Sequence, residues 1–249
     1  MSGHNKWSSI KHKKGAADAK RGKLFTRITR EIITAARNGS GDINTNSRLR
    51  AAVSAARAAN MPNTNIEKSI KRGTGEIEGA TYEEYTYEGY GHNGVAIIVE
   101  VMTDNKNRTV AEVRHTFSKY GGSMAESGAV SWIFNQKGYL EVEAPGLSED
   151  DAIMIALDAG AEDAEYDDEI IYVYTSVADF HVVLNYFEKN GYKIKEAELT
   201  RIPTNTVEAD DVAEKLLKLI DHLEDLDDVQ KVFANYKISE SIMNRLAEN

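Results

Sequence analysis

The spacing of apolar residues and the sign of the charge both change between residues 75 and 82, and this double change restricts the fold most. Before it, apolar residues recur at the spacing of amphipathic helices; after it, β-branched and aromatic residues follow the pattern of strands. Residues 1–75 hold 16 Lys/Arg and 4 Asp/Glu, a net charge of +12, whereas residues 76–249 hold 14 and 36, a net charge of −22. The sequence therefore predicts a basic helical segment joined to an acidic segment of strands and helices.

Three helices are predicted in the basic segment, at residues 16–38, at residues 47–59 and after a capping box formed by Thr64 and Glu67. Gly73 is expected to end the third helix. The apolar side of the first helix consists of Leu24, Phe25, Ile28, Ile32 and Ala36. Its cations, on an arc of roughly 100° on the other side, are Lys20, Lys23, Arg27, Arg30 and Arg37. One side is thus expected to pack while the other presents cations to solvent.

From residue 80 onward, strands and helices alternate in βαβ-like units. The expected fold class is α+β, with an N-terminal three-helix bundle followed by two small α/β domains of the ferredoxin-like βαβ type. The predicted domains are residues 1–79, a discontinuous domain of residues 80–135 plus 203–249, and an inserted domain of residues 136–202. Near the start of the inserted domain, two separate strands are expected at residues 130–134 and 138–142.

The composition argues against catalysis, metal binding and membrane insertion. The chain has no cysteine for a disulfide, a thiolate nucleophile or a Cys-ligated zinc site. Its histidines lack HExxH spacing, and its glycines lack GxGxxG or Walker spacing. Its acidic runs, such as residues 221–228, are expected to be solvated faces, with a divalent-ion or nuclease-like carboxylate site as the alternative. We therefore expect a non-enzyme with no catalytic residues, metal, cofactor or small-molecule substrate. Without an apolar stretch of roughly 18 residues, or an apolar core in residues 1–14, we expect no membrane span, no secretory signal and a cytoplasmic location.

The concentrated positive charge predicts a contact with nucleic acid, because each Lys or Arg that neutralises a phosphate releases condensed counterions. The strongest candidates are Lys11, Lys13, Lys14, Lys20, Lys23, Arg27 and Arg30. The second-tier candidates are Arg21, Arg48, Arg50, Lys71 and Arg72. His12 either contacts the nucleic acid or faces solvent, and Trp7 either stacks on a base or anchors the N-terminal arm.

Two loops bear on how such a contact would work. The connection at residues 39–46 is longer than the 3–4-residue turn of a helix-turn-helix motif, which counts against dedicated operator recognition and is compatible with structured RNA. The polar segment Asp104–Arg108 is interpreted as a capped loop between a strand and a helix, with an anion site at the helix N-terminus as the alternative.

Several long, ordered motifs resemble the YebC family. They are GHNKWSSIKHKK (residues 3–14), AKRGKLFTRITREI (19–32), ANMPNTNIEKSIKRGTGE (59–76), YEGYGHNGVAIIVE (87–100), TDNKNRTVAEVRHTF (103–117) and GGSMAESGAVSWIF (121–134). The resemblance implies a helical bundle and two α/β domains around a cleft. Family members are generally described as transcriptional regulators that bind DNA. Mitochondrial relatives are translational activators of cytochrome c oxidase subunit I, and bacterial members have been implicated as ribosome-associated factors that relieve stalling at proline runs.

Three functional hypotheses follow. The first choice is a DNA-binding regulator of transcription, which is the family's usual description. The alternative is a translation factor on the ribosome, with the basic arm contacting rRNA or tRNA. The third is an acidic protein-interaction module whose basic end docks internally on the acidic domains. A protein partner for the acidic domains is left open in all three.

Overall fold

The computed structural model describes residues 17–248, with side chains from residue 21 to 246. Three helices form the basic segment: α1 (Ala17–Asn38), α2 (Ser47–Ala58) and α3 (Asn63–Gly73). The elements that follow are β1 (Glu83–Tyr90), β2 (Ala96–Thr103), α4 (Lys106–Lys119), β3 (Ser123–Ala125), β4 (Phe134–Glu143), α5 (Glu149–Asp158), β5 (Asp163–Asp167), β6 (Ile170–Thr175), α6 (Phe180–Lys189), β7 (Lys193–Pro203), β8 (Val207–Glu208), α7 (Ala213–Glu224), β9 (Val229–Ala234), β10 (Tyr236–Lys237) and α8 (Glu240–Glu248).

The bundle closes on a small core in which α1 and α3 approach very closely. Ile32, Leu49 and Ile66 are buried between the three helices. A Cβ on Gly73, the last residue of α3, would lie 2.6 Å from the Cβ of Ala36 and 2.6 Å from the carbonyl oxygen of Ile33. The missing side chain of Gly73 therefore allows α3 to end against α1, which is a packing role in addition to the expected helix end.

The first sheet has four antiparallel strands in the order β3-β1-β2-β9. Helices α4 and α7 pack on it, and their shared core includes Val99, Phe117, Leu216 and Ile220. β9 comes from the C-terminal part of the chain and pairs with β2. β8 and β10 form a separate parallel pair.

The second sheet has four antiparallel strands in the order β5-β6-β4-β7, joined as βαββαβ. This connection is that of a ferredoxin-like unit, as the sequence predicted. Its core includes Leu140, Val173 and Phe187, against which α5 and α6 pack.

The chain divides into two compact units. Residues 132–205 form one unit, which contains the second sheet. The bundle and the first sheet belong to the other, built from residues 17–131 and 206–248 of the part that the structure describes. The fold class is therefore α+β, with helices at the N-terminal end followed by antiparallel α/β sheets. The predicted boundaries between three domains stay a prediction.

Two local predictions were wrong. β4 is one ten-residue strand rather than two short ones. Gly138, the expected start of the second strand, lies inside β4, where a Cβ would clash with Thr175 and Phe180. The capping box is not used either: α3 begins at Asn63, directly after Pro62, and no side chain caps it. Pro62 has a φ of −58°, which suits a helix start and moves it ahead of Thr64.

Candidate nucleic-acid interface

The helical wheel predicted that the cations of α1 face solvent, but not all of them do. Lys23, Arg27 and Arg30 point toward the acidic loop formed by residues 224–228, which connects α7 to β9. Leu24, predicted to pack, is 45% exposed instead. A helical wheel separates polar from apolar positions, but it does not show which side will meet a loop some 200 residues further along the chain.

The outer contacts of this loop use the C-terminal end of α7. The Lys23 ammonium donates to the Asp225 carboxylate at 2.9 Å and to its carbonyl oxygen at 3.1 Å. The Arg27 guanidinium donates to the carbonyl oxygen of Glu224. Both carbonyls lie at the negative end of the α7 dipole, so cations stabilise this helix end. Burial lowers the pKa of Arg27, although a guanidinium remains charged in proteins.

The inner contact is a buried ion pair between Arg30 and Asp228. The two side chains approach to 2.9 Å and are 11% and 2% exposed. Arg30 also donates to the carbonyl oxygens of Met102, at 3.2 Å, and Asp227, at 2.5 Å. Its guanidinium lies 5.2 Å from the centre of the Tyr82 ring. Arg30 thus joins α1 to the first sheet, and the expectation that it faces solvent was wrong.

The Asp228 carboxylate accepts hydrogen bonds from several donors. It accepts from the Arg108 guanidinium at 2.7 Å, from the Thr109 hydroxyl at 2.6 Å and from the Thr103 hydroxyl at 3.1 Å. Burial alone would raise the pKa of Asp228, but the hydrogen bonds from Arg108 and Thr109 and the charge of Arg30 more than offset it, so the pKa is lowered. Sequence reasoning missed this residue because it ends an acidic run that was expected to be solvated.

The polar segment before α4 is a capped loop. Asn105 is the N-cap of α4, and its side chain accepts from the backbone N–H of Arg108 at 3.1 Å. Arg108 also bridges to Asp104 at 3.0 Å. These contacts satisfy the segment internally and confirm the interpretation as a capped loop.

Two second-tier cations of α2 also make internal contacts. Arg48 pairs with Glu31 on α1 and with Glu84 on β1, both at 2.6 Å, and these hydrogen bonds raise its pKa. Arg50 donates to the carbonyl oxygens of Ile43 and Asn44, at 3.1 and 2.6 Å. Arg48 thus joins α2 to α1 and to β1, and Arg50 holds the loop that precedes α2.

The remaining described cations lie at the surface of the bundle. Lys71 and Arg72 are exposed on α3, on the side away from the buried Ile66 and Ser69. Arg21 is exposed near the start of α1. The candidates Lys11, His12, Lys13 and Lys14, together with Trp7, lie outside the described residues, as does the side chain of Lys20.

A shallow cleft of about 270 Å³ runs between α1 and the acidic loop. Its lining consists of Gly22, Lys23, Thr26, Arg27, Arg30, Leu226 and Asp227. Three cations thus share one cleft with the carboxylate of Asp227 and the apolar side chain of Leu226.

Neither a metal site nor a membrane-spanning helix is found within residues 17–248. No group of His, Asp and Glu side chains there has the arrangement of a metal site. None of the helices in that range is both long and apolar enough to cross a membrane.

Comparison with known proteins gives matches over nearly the whole chain. Residues 5–76 match the family model "TACO1/YebC protein N-terminal domain", and residues 82–236 match "TACO1/YebC second and third domain". A relative from Dictyoglomus turgidum is 54% identical over 99% of this chain and 100% of its own length. One from Thermotoga maritima is 52% identical over 99% and 98%. Both are named "Probable transcriptional regulatory protein".

A solved structure agrees with these matches. The crystal structure of a conserved hypothetical protein from Aquifex aeolicus is 47% identical to this chain. It superposes with a TM-score of 0.84, covering 93% of this chain and 96% of that one. The sequence motifs, the two domain matches and the shared fold agree, and the chain belongs to the TACO1/YebC family.

Proposed function

We propose that this protein is a non-enzymatic regulator of gene expression that binds DNA through phosphate contacts made by its basic N-terminal segment. The names of the relatives support the regulatory role. The observation that carries the DNA contact is the net charge of +12 on residues 1–75 beside a net charge of −22 on the rest. Such a polarised chain attracts phosphates to one end and repels them from the other.

Within the bundle, α3 offers the clearest surface for this contact. Lys68, Lys71 and Arg72 are exposed, while Ile66, Ser69 and Gly73 face the bundle core. The three cations are thus held on one rigid helix whose inner side is packed. Because the backbone that carries these cations is already ordered, binding to a phosphate restricts only their side-chain rotamers.

The contact is proposed to involve the nucleic-acid backbone rather than base edges. The connection between α1 and α2 spans residues 39–46 and is fixed by its own polar contacts, including the Asn46 side chain on the carbonyl oxygens of Ala35 and Ser40. This is not the short turn that places a recognition helix in the major groove. Binding should therefore depend strongly on salt and weakly on sequence.

Fluorescence anisotropy with a labelled DNA duplex tests the proposal. The variant Lys71→Glu/Arg72→Glu should weaken binding at low salt and reduce the slope of log K against log[salt] by about 1.8, or about 0.9 for each lost phosphate contact. The control Lys215→Glu/Lys218→Glu makes the same charge change at two exposed lysines of α7. Equal weakening by both variants, or by neither, would contradict a contact at α3.

Fractionation of a gentle lysate separates the proposal from the translation-factor alternative. On a sucrose gradient, a DNA-binding regulator should stay with the DNA and lose that association after DNase treatment. Salt-sensitive migration with ribosomes that survives DNase would overturn the proposal in favour of an rRNA or tRNA contact.

A further inference from the structure

The contacts of α1 with the acidic loop occupy cations that the proposed function assigns to phosphates. Lys23 faces the carboxylate of Asp225, and Arg27 faces the carbonyl oxygen of Glu224. Both cations line the cleft beside Leu226. The cleft is therefore a cationic site whose own chain already supplies the anionic group.

The contacts become weaker from the inside of the cleft to its mouth. At the inner end, Arg30 and Asp228 are 11% and 2% exposed, so removing either partner would leave a buried charge. At the mouth, Lys23 and Asp225 are 43% and 60% exposed, and ion pairs of that kind are worth little in water. A ligand phosphate can therefore replace Asp225 at Lys23 while Arg30 keeps α1 in place.

We propose that Asp225 is a built-in competitor for a phosphodiester-binding site formed by Lys23 and Arg27. When a phosphate of the nucleic acid binds there, the Lys23 ammonium moves from the Asp225 carboxylate to the phosphate. The Arg27 guanidinium, held by the carbonyl of Glu224, donates its remaining N–H groups to the same phosphate. This inference rests on the proposed function, since it concerns how tightly the same segment binds nucleic acid.

The competition has a signature in the salt dependence of binding. Exchange of Asp225 for a phosphate at Lys23 releases a counterion from the nucleic acid, while the displaced carboxylate gathers a cation from solution. The net release is then smaller than for a lysine without an acidic partner. Removal of the Asp225 charge should therefore increase both the affinity and the salt slope.

The experiment measures binding of a labelled DNA duplex and of an RNA duplex of equal length, at several salt concentrations. Asp225→Asn should tighten binding about two- to five-fold, the range expected for an exposed ion pair, and steepen the slope by up to about 0.9 on DNA. Glu214→Gln is the control, because it removes one negative charge from an exposed position of α7 that does not line the cleft. It measures the general effect of one acid fewer, and Asp225→Asn should exceed it at least two-fold. Tightening on only one duplex would identify which nucleic acid supplies the phosphate.

A double-mutant cycle makes the test specific to the pair. In a Lys23→Gln background, the advantage of Asp225→Asn over Glu214→Gln should vanish. If Lys23→Gln leaves wild-type affinity unchanged, or if Asp225→Asn and Glu214→Gln behave alike, the competition is refuted while nucleic-acid binding elsewhere in the basic segment stands. If the wild-type chain binds neither duplex at low salt, the proposed function falls and the competition falls with it.

Discussion

Replacement of Asp228 by Asn should destabilise the unit that contains the bundle and the first sheet. Asn keeps the size of the side chain but removes the charge that faces Arg30 at 2.9 Å and Arg108 at 2.7 Å. Its amide N–H groups would also point toward guanidinium or hydroxyl donors. The substitution leaves Arg30, which is 11% exposed, as a buried cation without its partner carboxylate.

The expected magnitude follows from the burial of the partners. Breaking a buried ion pair by removing one member costs about 3–5 kcal/mol. Arg108 is 43% exposed and can be hydrated instead, so only the Arg30 side carries the full penalty. We therefore expect a loss of about 3 kcal/mol in the free energy of unfolding.

Urea unfolding followed by circular dichroism measures this loss, with hydrogen exchange of α1 amides to identify the unit that opens. Asp225→Asn is the control, because the Lys23–Asp225 pair is exposed and its loss should cost less than about 1 kcal/mol. A loss below about 1 kcal/mol for Asp228→Asn, or equal losses for both variants, would show that Arg30 and Asp228 do not hold α1 on the first sheet.

Three further predictions concern packing and pH. Gly73→Ala should lower the free energy of unfolding by about 1–3 kcal/mol, because its Cβ would overlap α1. Gly22→Ala should raise the free energy of unfolding by about 0.5–1 kcal/mol, because its Cβ meets nothing within 4 Å. Thermal denaturation of the two variants should therefore show shifts of opposite sign. The buried carboxylate of Glu88 accepts from the backbone N–H groups of Gly128, Val130 and Ser131 at 2.7–2.9 Å. Glu88→Gln should therefore lower the free energy of unfolding by about 1–3 kcal/mol and speed hydrogen exchange at residues 128–131. Unchanged exchange there would show that Glu88 does not hold this loop. Burial opposes ionisation of Glu88 and Asp228, but their hydrogen bonds outweigh it and the pKa of each carboxyl is lowered. The stability that they add is therefore present above their unfolded pKa values near 4 and is lost as pH falls through the folded values. Urea titrations from pH 6 to pH 3 should show this loss, and Asp228→Asn should reduce it.

The helices of the bundle were predictable because their signals are local. α1 was expected at residues 16–38 and occupies Ala17–Asn38, since its apolar spacing is long and regular and glycine follows it. The ferredoxin-like order of the second sheet also followed from the alternation of elements. In both cases each residue's neighbours in the chain determine its structure.

The docking of α1 was not predictable in the same way. Whether Arg30 faces solvent depends on Asp228, 198 positions away, and no periodicity links the two residues. An acidic run normally indicates a solvated surface, so the burial of its last member had no signal in one sequence. α8 was missed as well: Ile242 and Met243 pack on the first sheet's core, but their segment is too short to show a clear period.

The predictions for the candidate binding residues also differ according to whether local sequence determines the position of the side chain. Exposed cations such as Lys71 and Arg72 follow from the side of the helix that they occupy, and the structure places them where the sequence expected. Arg27, Arg30 and Arg48 have partners on distant elements, so their charge alone could not show that they hold the fold together. Which of the candidates contact nucleic acid stays a prediction.

Photo-crosslinking of the full chain to a DNA duplex, with the crosslinked peptides identified by mass spectrometry, shows directly which segment contacts the nucleic acid. Crosslinks are expected within residues 1–75, including the peptide that carries Lys71 and Arg72, and they should disappear as salt rises. Crosslinks concentrated in residues 80–249, or a pattern that persists at high salt, would contradict the claim that the basic N-terminal segment binds the nucleic acid.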